Sequence, residues 1–279
     1  MARTVYTDLA FSVISSFELR PAYQAEYVKP SIFTAVLLCA WLGVLDRHAW
    51  AEPYHVVTEE WAPYNYVEHD QVTGMTTDIV RAIMALTGDH FDVVMLPSMR
   101  SRYTLNTHPK TIMFSLFRTP EREALYKWVG PIVEESIYPY QLADDPQQVN
   151  SRDELLSAPQ VTTRQAGLIP ELLKAQGFNN LDRSASDNRQ LYRMLLAGRT
   201  DIIIGDTAAG VAYYSRQLDI PAGTLRRIPV ELYRSSLYIA FSLDSDDRVV
   251  AAWSRALVKL RHTGELERIE RRYGHPVVR

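Results

Sequence analysis

Leu191-Tyr192-Arg193-Met194-Leu195-Leu196-Ala197-Gly198 and, three residues on, Ile202-Ile203-Ile204-Gly205-Asp206-Thr207 decide the fold. Leu191, Met194 and Leu195 recur at helical spacing, and Gly198 ends the helix they mark. The apolar run that follows has no polar alternation, as expected of a strand covered on both faces in a parallel sheet. The same beat of helix, glycine and strand repeats outward in both directions.

Toward the N-terminus, 161–164 reads as a strand and 169–176 as a helix closed by Gly177. Ser151-Arg152-Asp153-Glu154 is a capping box opening a short helix. Residues 137–142 form a strand that ends in the polar stretch 143–150. Further back, 54–58, 91–96 and 111–114 read as strands, and 76–86 as a helix with Ile79, Ile83 and Leu86 on one face and Gly88 past its end. Toward the C-terminus come a strand at 237–241 and a long helix through Val249, Val250, Trp253, Leu257 and Leu260. Gly264 closes that helix, and a last one runs through Leu266, Ile269 and Tyr273. This order predicts an α/β protein of two lobes joined by two crossings, out near 134–138 and back near 232–236. The predicted lobes are 52–136 with 237–279, and 137–236.

Residues 1–51 stand apart as an N-terminal extension and signal peptide. Ser31 begins an apolar run of fifteen residues ending at Leu45, with Lys29 before it and Ala49-Trp50-Ala51 after it. A charged flank, a short apolar stretch and a small-x-small site make a secretory signal. The run is shorter than the ~20 residues of a spanning helix, so no stable membrane insertion is expected after cleavage near Ala51. The long acidic head, with Asp8, Glu18 and Glu26, predicts a true translation start at Val28. Cys39, the only cysteine, lies within the signal, and Val36-Leu37-Leu38 before it disfavours lipidation. A mature chain without a thiol suits an oxidising, periplasmic location and excludes thiol nucleophiles and Cys-ligated zinc.

With 279 residues, 47% of them hydrophobic, the chain can bury a proper core. Four Lys/Arg and four Asp/Glu leave with the signal, so the net charge of −3 is unchanged. That balance, without a basic stripe, argues against nucleic acid as a partner. No G-x-S-x-G, G-x-G-x-x-G, P-loop or H-E-x-x-H occurs. His55, His69, His90, His108, His262 and His275 are scattered without an i, i+4 pair for a metal. Neither a cofactor nor an enzymatic activity is expected.

Three segments carry candidate binding chemistry. In Ser115-Leu116-Phe117-Arg118-Thr119-Pro120-Glu121-Arg122, Thr119 and Pro120 read as the N-cap and first residue of a helix. Arg122 then stands in its first turn, where a cation opposes the helix dipole. An anionic ligand group shared between free N–H groups and the guanidinium would offset this; a surface salt bridge to Glu121 or Glu123 is the alternative. Trp61-Ala62-Pro63-Tyr64-Asn65-Tyr66 follows the first strand at its carboxyl edge and reads as an aromatic wall over a ligand or as core plugs. Asp206, after the apolar strand, is placed either to hold an ammonium group or to cap the next helix.

In this order the segments make the chain resemble the periplasmic extracellular solute-binding proteins of family 3, the amino-acid-binding type II clamps of ABC transporters. The resemblance runs over most of 54–274. Its carriers are Trp61-x-Pro63-Tyr64, Gly74-x-x-x-Asp78, Thr119-x-x-Arg122, Trp128-Val129-Gly130-Pro131, Gly205-Asp206 and Leu237-Tyr238-Ile239-Ala240-Phe241. It implies the periplasmic-binding-protein type II fold and a monomer that captures a small-molecule ligand by hinge closure and hands it to an ABC permease complex. It further implies that Arg122 grips a ligand carboxylate with help from Ser115 and the Phe117-Arg118 backbone. Asp206 would take the α-amino group, and Tyr64 or Trp61 would cover the side chain. Where the family offers a Gly-Ser/Thr-Thr turn, this chain has Arg164-Gln165-Ala166-Gly167, which puts Gln165 at the site. That departure, with the extra Arg100 and Arg118, points to a more anionic ligand than a standard amino acid. Cyclohexadienyl dehydratases are similar to the family and differ by a catalytic carboxylate, a role open here to Glu59, Glu60 or Glu134; a periplasmic ligand sensor is the other alternative.

Overall fold

The computed structural model describes residues 53–275. The signal run, Cys39, Val28 and the Ala51 cleavage site lie outside them. Twelve strands and eight α-helices follow one another among the described residues. Strands β1 (His55–Thr58), β4 (Val93–Met95) and β5 (Thr111–Phe117) are parallel neighbours. So are β8 (Val161–Arg164), β9 (Leu181–Ala185) and β10 (Ile203–Thr207). Between these two sets run the long strands β7 (Glu134–Leu142) and β12 (Tyr233–Phe241), giving the order β4-β1-β5-β12-β7-β10-β8-β9. A hairpin of β2 (Tyr66–Glu68) and β3 (Gln71–Thr73) stands separately. The edge pieces β6 (Lys127–Val129) and β11 (Leu225–Arg227) pair with β12 and β7.

The crossings are these two long strands. Tyr233 to Ser236 of β12 pair with β7, and from Leu237 onward the same strand pairs with β5. The chain is thus a curled, mixed α/β fold of two lobes of the periplasmic-binding-protein type II form.

Helices cover both sides of each parallel set, which is why the strands read as continuous apolar runs. In β5, Ile112 and Phe114 pack toward α1 (Met75–Thr87) and α7 (Asp247–His262), whereas Met113 packs toward α2 (Ser98–Thr107). In the other set, Ile202 and Ile204 pack toward α3 (Arg152–Ser157) and α4 (Leu168–Ala175). Ile203 faces α5 (Asn188–Leu196) and α6 (Ala208–Gln217). Helix α8 (Glu265–Arg272) closes the chain beside α1 and α7.

The third strand is longer than 111–114, because β5 continues through a β-bulge. Tyr238 lies opposite Leu116 and Ile239 opposite Phe114, leaving Ser115 as the extra residue, with φ of +65°. A bulge inverts the in-out alternation beyond it. Leu116 accordingly joins Met113 on the α2 side, and Phe117 joins Phe114 on the other.

Candidate functional site

Every parallel strand of both lobes delivers its carboxyl end to one cleft, the edge at which open α/β sheets bind ligands. Glu59 and Ser98 from the first lobe and Arg164 from the second border two adjoining spaces, one of about 390 Å³ toward the mouth and one of about 30 Å³ inside. The inner space is walled by Trp61, Ser115, Phe117 and Arg122 on one side and by 167–169 on the other.

At the base of the wall from the first lobe, Asn65, Thr76 and Ser115 form a closed net of hydrogen bonds. Asn65, fully buried, donates to the Glu59 carbonyl and receives both the Ser115 hydroxyl and, at 3.1 Å, the Thr76 hydroxyl. Thr76 Oγ1 also lies 2.9 Å from the Tyr64 carbonyl and 2.6 Å from Ser115 Oγ. The bulge places the Ser115 hydroxyl in this net: its left-handed backbone, unfavourable for a residue with a Cβ, turns the side chain toward residues 59–65 rather than into the sheet. Gly74 completes the joint, since a Cβ there would come within 2.4 Å of the Tyr64 carbonyl oxygen.

Arg122 stands on a six-residue 3-10 helix, Pro120–Leu125, rather than the α-helix its sequence suggests. So short a turn has little dipole to oppose, and burial is the stronger pressure on the cation. Its guanidinium donates to the Phe117 carbonyl at 3.2 Å and forms no ion pair among the described residues. Burial, then the nearby positive charge of Arg102, depress its pKa, while Glu59 and the neighbouring tyrosines hold it up.

The wall from the second lobe is built on Asp206 and Thr207. Asp206 accepts from the Tyr192 hydroxyl at 3.1 Å and from the Thr207 N–H at 3.0 Å. Burial still pushes its carboxyl from 3.8 up to about 7, against the lowering effect of those bonds and of the Arg164 charge. Gly210 leaves space for it, because a Cβ there would overlap the carboxylate. Thr207 caps α6 by accepting from the Gly210 N–H at 3.1 Å, and its hydroxyl meets Tyr64 Oη, from the opposite lobe, at 2.6 Å. Arg164 ends β8 with its Nε buried and without a hydrogen-bond partner among the described residues.

Of the residues singled out by sequence, Trp61, Ser115, Phe117 and Arg122 line the inner space together. Asp206 lies just behind them, close enough to the Trp61 indole for its N–H to lower the carboxyl's pKa, although the indole nitrogen completes no hydrogen bond. Tyr64 is fully buried and bridges the lobes by its hydroxyl, and Trp61 is 5% exposed, so these rings are core and wall at once. Gln165 is exposed beside the outer space. Arg118 is turned away onto Glu123 and the rings of Trp128 and Tyr238. Arg100, exposed on α2, borders neither space. Sequence reasoning gave no site role to Asn65, Thr76, Arg102, Tyr192 or Thr207, and it read Arg164 only as part of a departure from the family's turn. Of the carboxylates, Glu59 lines both spaces, Glu60 only the outer one, and Glu134 pairs with Arg234 on the surface.

Residues 54–276 match the bacterial extracellular solute-binding proteins, family 3. The chain belongs to this family. Solved structures share the fold at low identity. A histidine kinase sensor domain with similarity to periplasmic binding proteins is 18% identical, with a TM-score of 0.70 over 79% of this chain and 95% of its own. The GluR0 ligand-binding core from Nostoc punctiforme, in complex with L-glutamate, is 18% identical, with a TM-score of 0.68 over 80% and 100%. The amino acid ABC transporter substrate-binding protein AbpA from Streptococcus pneumoniae, bound to L-arginine, is 18% identical, with a TM-score of 0.68 over 80% and 95%. No curated protein matches the sequence. Among the described residues no helix is long and apolar enough to cross a membrane, and no group of three or more His, Cys, Asp or Glu stands together as a metal site.

Proposed function

We propose that this family member is a periplasmic binding protein that captures a small carboxylate-bearing metabolite, an amino acid or a relative, by closure of its two lobes, and performs no chemistry on it. The observation that carries the proposal is a convergence of polar atoms: Glu59 Oε2, Trp61 Nε1 and Arg164 Nε are all buried without a hydrogen-bond partner among the described residues, and all belong to residues lining the inner space beside Arg122. Buried polar atoms are nearly always paired, each orphan costing about 1–3 kcal/mol, so three around one space are best accounted for by a ligand that pairs them. Arg122 would take the carboxylate, and Asp206, behind the Trp61 indole, an amino group.

Hinge closure is supported by the size of that space. About 30 Å³ holds roughly two waters, so an amino acid enters only when the lobes part. The proposed lobe division at 136/137 and 236/237 falls within β7 and β12, where β12 exchanges one partner strand for another. Export through the leader of residues 1–51, a monomeric state and delivery to an ABC permease are the further parts of the reading. The family's extracellular character and neighbours such as the pneumococcal transporter protein support them.

A thermal-shift screen of the purified protein against amino acids, polyamines and dicarboxylates tests the reading, because a ligand at 100 times its Kd adds about 2.7 kcal/mol of stability. At least one carboxylate-bearing compound is expected to raise Tm, less so in Arg122→Ala and Asp206→Asn. If every shift survives Arg122→Ala unaltered, Arg122 is not the carboxylate grip; if no compound raises Tm, the binding reading fails. One observation favours a second reading: the orphaned Glu59 carboxylate oxygen borders the cleft as an acid of a cyclohexadienyl-dehydratase-like enzyme would. An ancestral amino acid-binding protein described as a precursor of that enzyme shares the fold at 17% identity. Product formation from prephenate or arogenate would decide for it.

A further inference from the structure

The cleft offers more donors, and more positive charge, than one carboxylate uses. Arg102, Arg122 and Arg164 all line the inner space, opposed there by one acid, Glu59. None of the three arginines forms an ion pair among the described residues; Arg102 reaches only the Met99 sulfur and Arg122 only a carbonyl. Of the orphaned buried atoms around this space, Arg164 Nε and Trp61 Nε1 are donors and only Glu59 Oε2 is an acceptor. Asp206, raised by burial to about 7, is only partly ionised near neutrality and redresses the balance only in part.

Arg164 is also held where a second anion would meet it. It ends β8, and its guanidinium lies over Gly167, where a Cβ would come within 3.2 Å of a terminal nitrogen. Gly167 has φ of +116° and starts α4 without contributing a side-chain cap. Arg164 and the start of α4, residues 167–169, therefore line the same space from the second lobe, opposite Arg122 on the first.

We infer that Arg164 is the specificity-determining residue of the clamp and that the ligand is a dianion: one acidic group on Arg122 in the first lobe and a second on Arg164 in the other, so that closing the lobes brings the two guanidinium groups onto a single molecule. This inference rests on the binding reading and narrows it. Arg100 and Arg118, the arginines that suggested an anionic ligand from sequence, take no part; Arg164 and Arg102 supply that charge.

The test is titration calorimetry of the purified protein with matched pairs that differ by one carboxylate: L-glutamate and L-glutamine, L-aspartate and L-asparagine, succinate and succinamate. At least one acid is expected to bind roughly tenfold or more tighter than its amide. Arg164→Gln should bring that pair to within about threefold by weakening the acid and sparing the amide, and Arg164→Lys should keep part of the preference. Equal binding of acid and amide by the wild-type protein overturns the dianion inference and leaves the binding reading standing. A preference that survives intact in Arg164→Gln removes Arg164 from the role. Failure of all six probes to bind overturns the dianion inference alone, the binding reading being decided by the wider thermal-shift screen. The wild-type comparison needs no variant, so it stands even if Arg164→Gln does not fold.

Discussion

The two walls of the cleft are made of opposite materials. In the first lobe Asn65, Thr76 and Ser115 satisfy one another at short range, and the wall they form is complete without a ligand. In the second lobe Asp206 is buried beyond what its two hydrogen bonds offset, and Arg164 keeps an orphaned nitrogen. Neutral, saturated groups fix geometry; charged, incompletely satisfied ones respond to protons and to solutes. On the binding reading proposed above, position is set mainly by the Asn65–Thr76–Ser115 net of the first lobe, and affinity by the charged or unpaired groups: Asp206 and Arg164 of the second lobe, with Arg122 and the orphaned Glu59 and Trp61 atoms of the first.

The largest effect expected of this contrast is in pH dependence. The Asp206 carboxyl is raised in the folded chain, so the native state holds a proton that the unfolded state has lost between pH 3.8 and about 7. Stability contributed by this group therefore falls as pH rises through that window, by up to ~4 kcal/mol in total. In urea unfolding at several pH values, Asp206→Asn should flatten that decline relative to wild type and be the more stable protein above neutrality. Glu270, also raised chiefly by burial, acts in the same direction in both proteins and cancels in the comparison. Identical slopes would show that the second wall is not the responsive one.

Breaking the saturated wall should cost nearly as much, and without a pH signature. Asn65→Ala removes bonds to the Glu59 carbonyl, Ser115 and Thr76 at a fully buried position. A loss of about 2–4 kcal/mol is expected, the same at pH 5 and pH 8, when read by denaturant titration. A loss confined to one pH would blur the division between the walls.

Arg122 sharpens the comparison from the other side. Arg122→Gln removes a desolvated cation that makes no ion pair among the described residues, so stability of the ligand-free protein should hold or rise by up to ~1 kcal/mol. Ligand affinity should meanwhile drop about a hundredfold, or roughly 2–3 kcal/mol. Calorimetric unfolding with and without ligand separates the two effects, and a variant that loses stability and affinity together would make Arg122 structural.

Much of this division was legible in the residues. The apolar run of β10, the exact extent of β8 and the crossings through β7 and β12 follow from periodicity and punctuation, which local sequence carries. Helix α2 does not announce itself, since within it only Ser101 and Leu105 are buried and no side chain caps it. The bulge at Ser115 is invisible because it depends on β12 lying opposite. Asn65 escapes for a similar reason: its partners come from the turn after β1, from α1 and from β5, far apart in the chain. The arginines are the plainest lesson. Composition reveals the excess of them, but whether Arg118 turns to Glu123 or to the cleft is decided by neighbours that only the fold assembles.

The smallest expected effect concerns the contact between the walls. Tyr64, from the rigid side, meets Thr207 of the other lobe through a 2.6 Å hydroxyl pair. Burial, and then Glu135, keep the phenol protonated far above its ordinary range, so it remains neutral at any working pH. Tyr64→Phe keeps the ring packed on Trp61, at a centroid distance of 4.7 Å, and leaves Thr207 free to cap α6 through the Gly210 N–H. The hydroxyl contact with Thr207 is lost, about 0.5–1.5 kcal/mol, together with the hydroxyl's coupling to Glu135, and the loss falls chiefly on the closed form. The population of closed molecules without ligand should therefore fall while the unfolding midpoint barely moves. Small-angle scattering would register this as a larger mean radius of gyration that returns to the wild-type value on saturation with ligand. If the radius is unchanged and the midpoint drops instead, the Tyr64–Thr207 pair belongs to the core of the fold rather than to the meeting of its two halves.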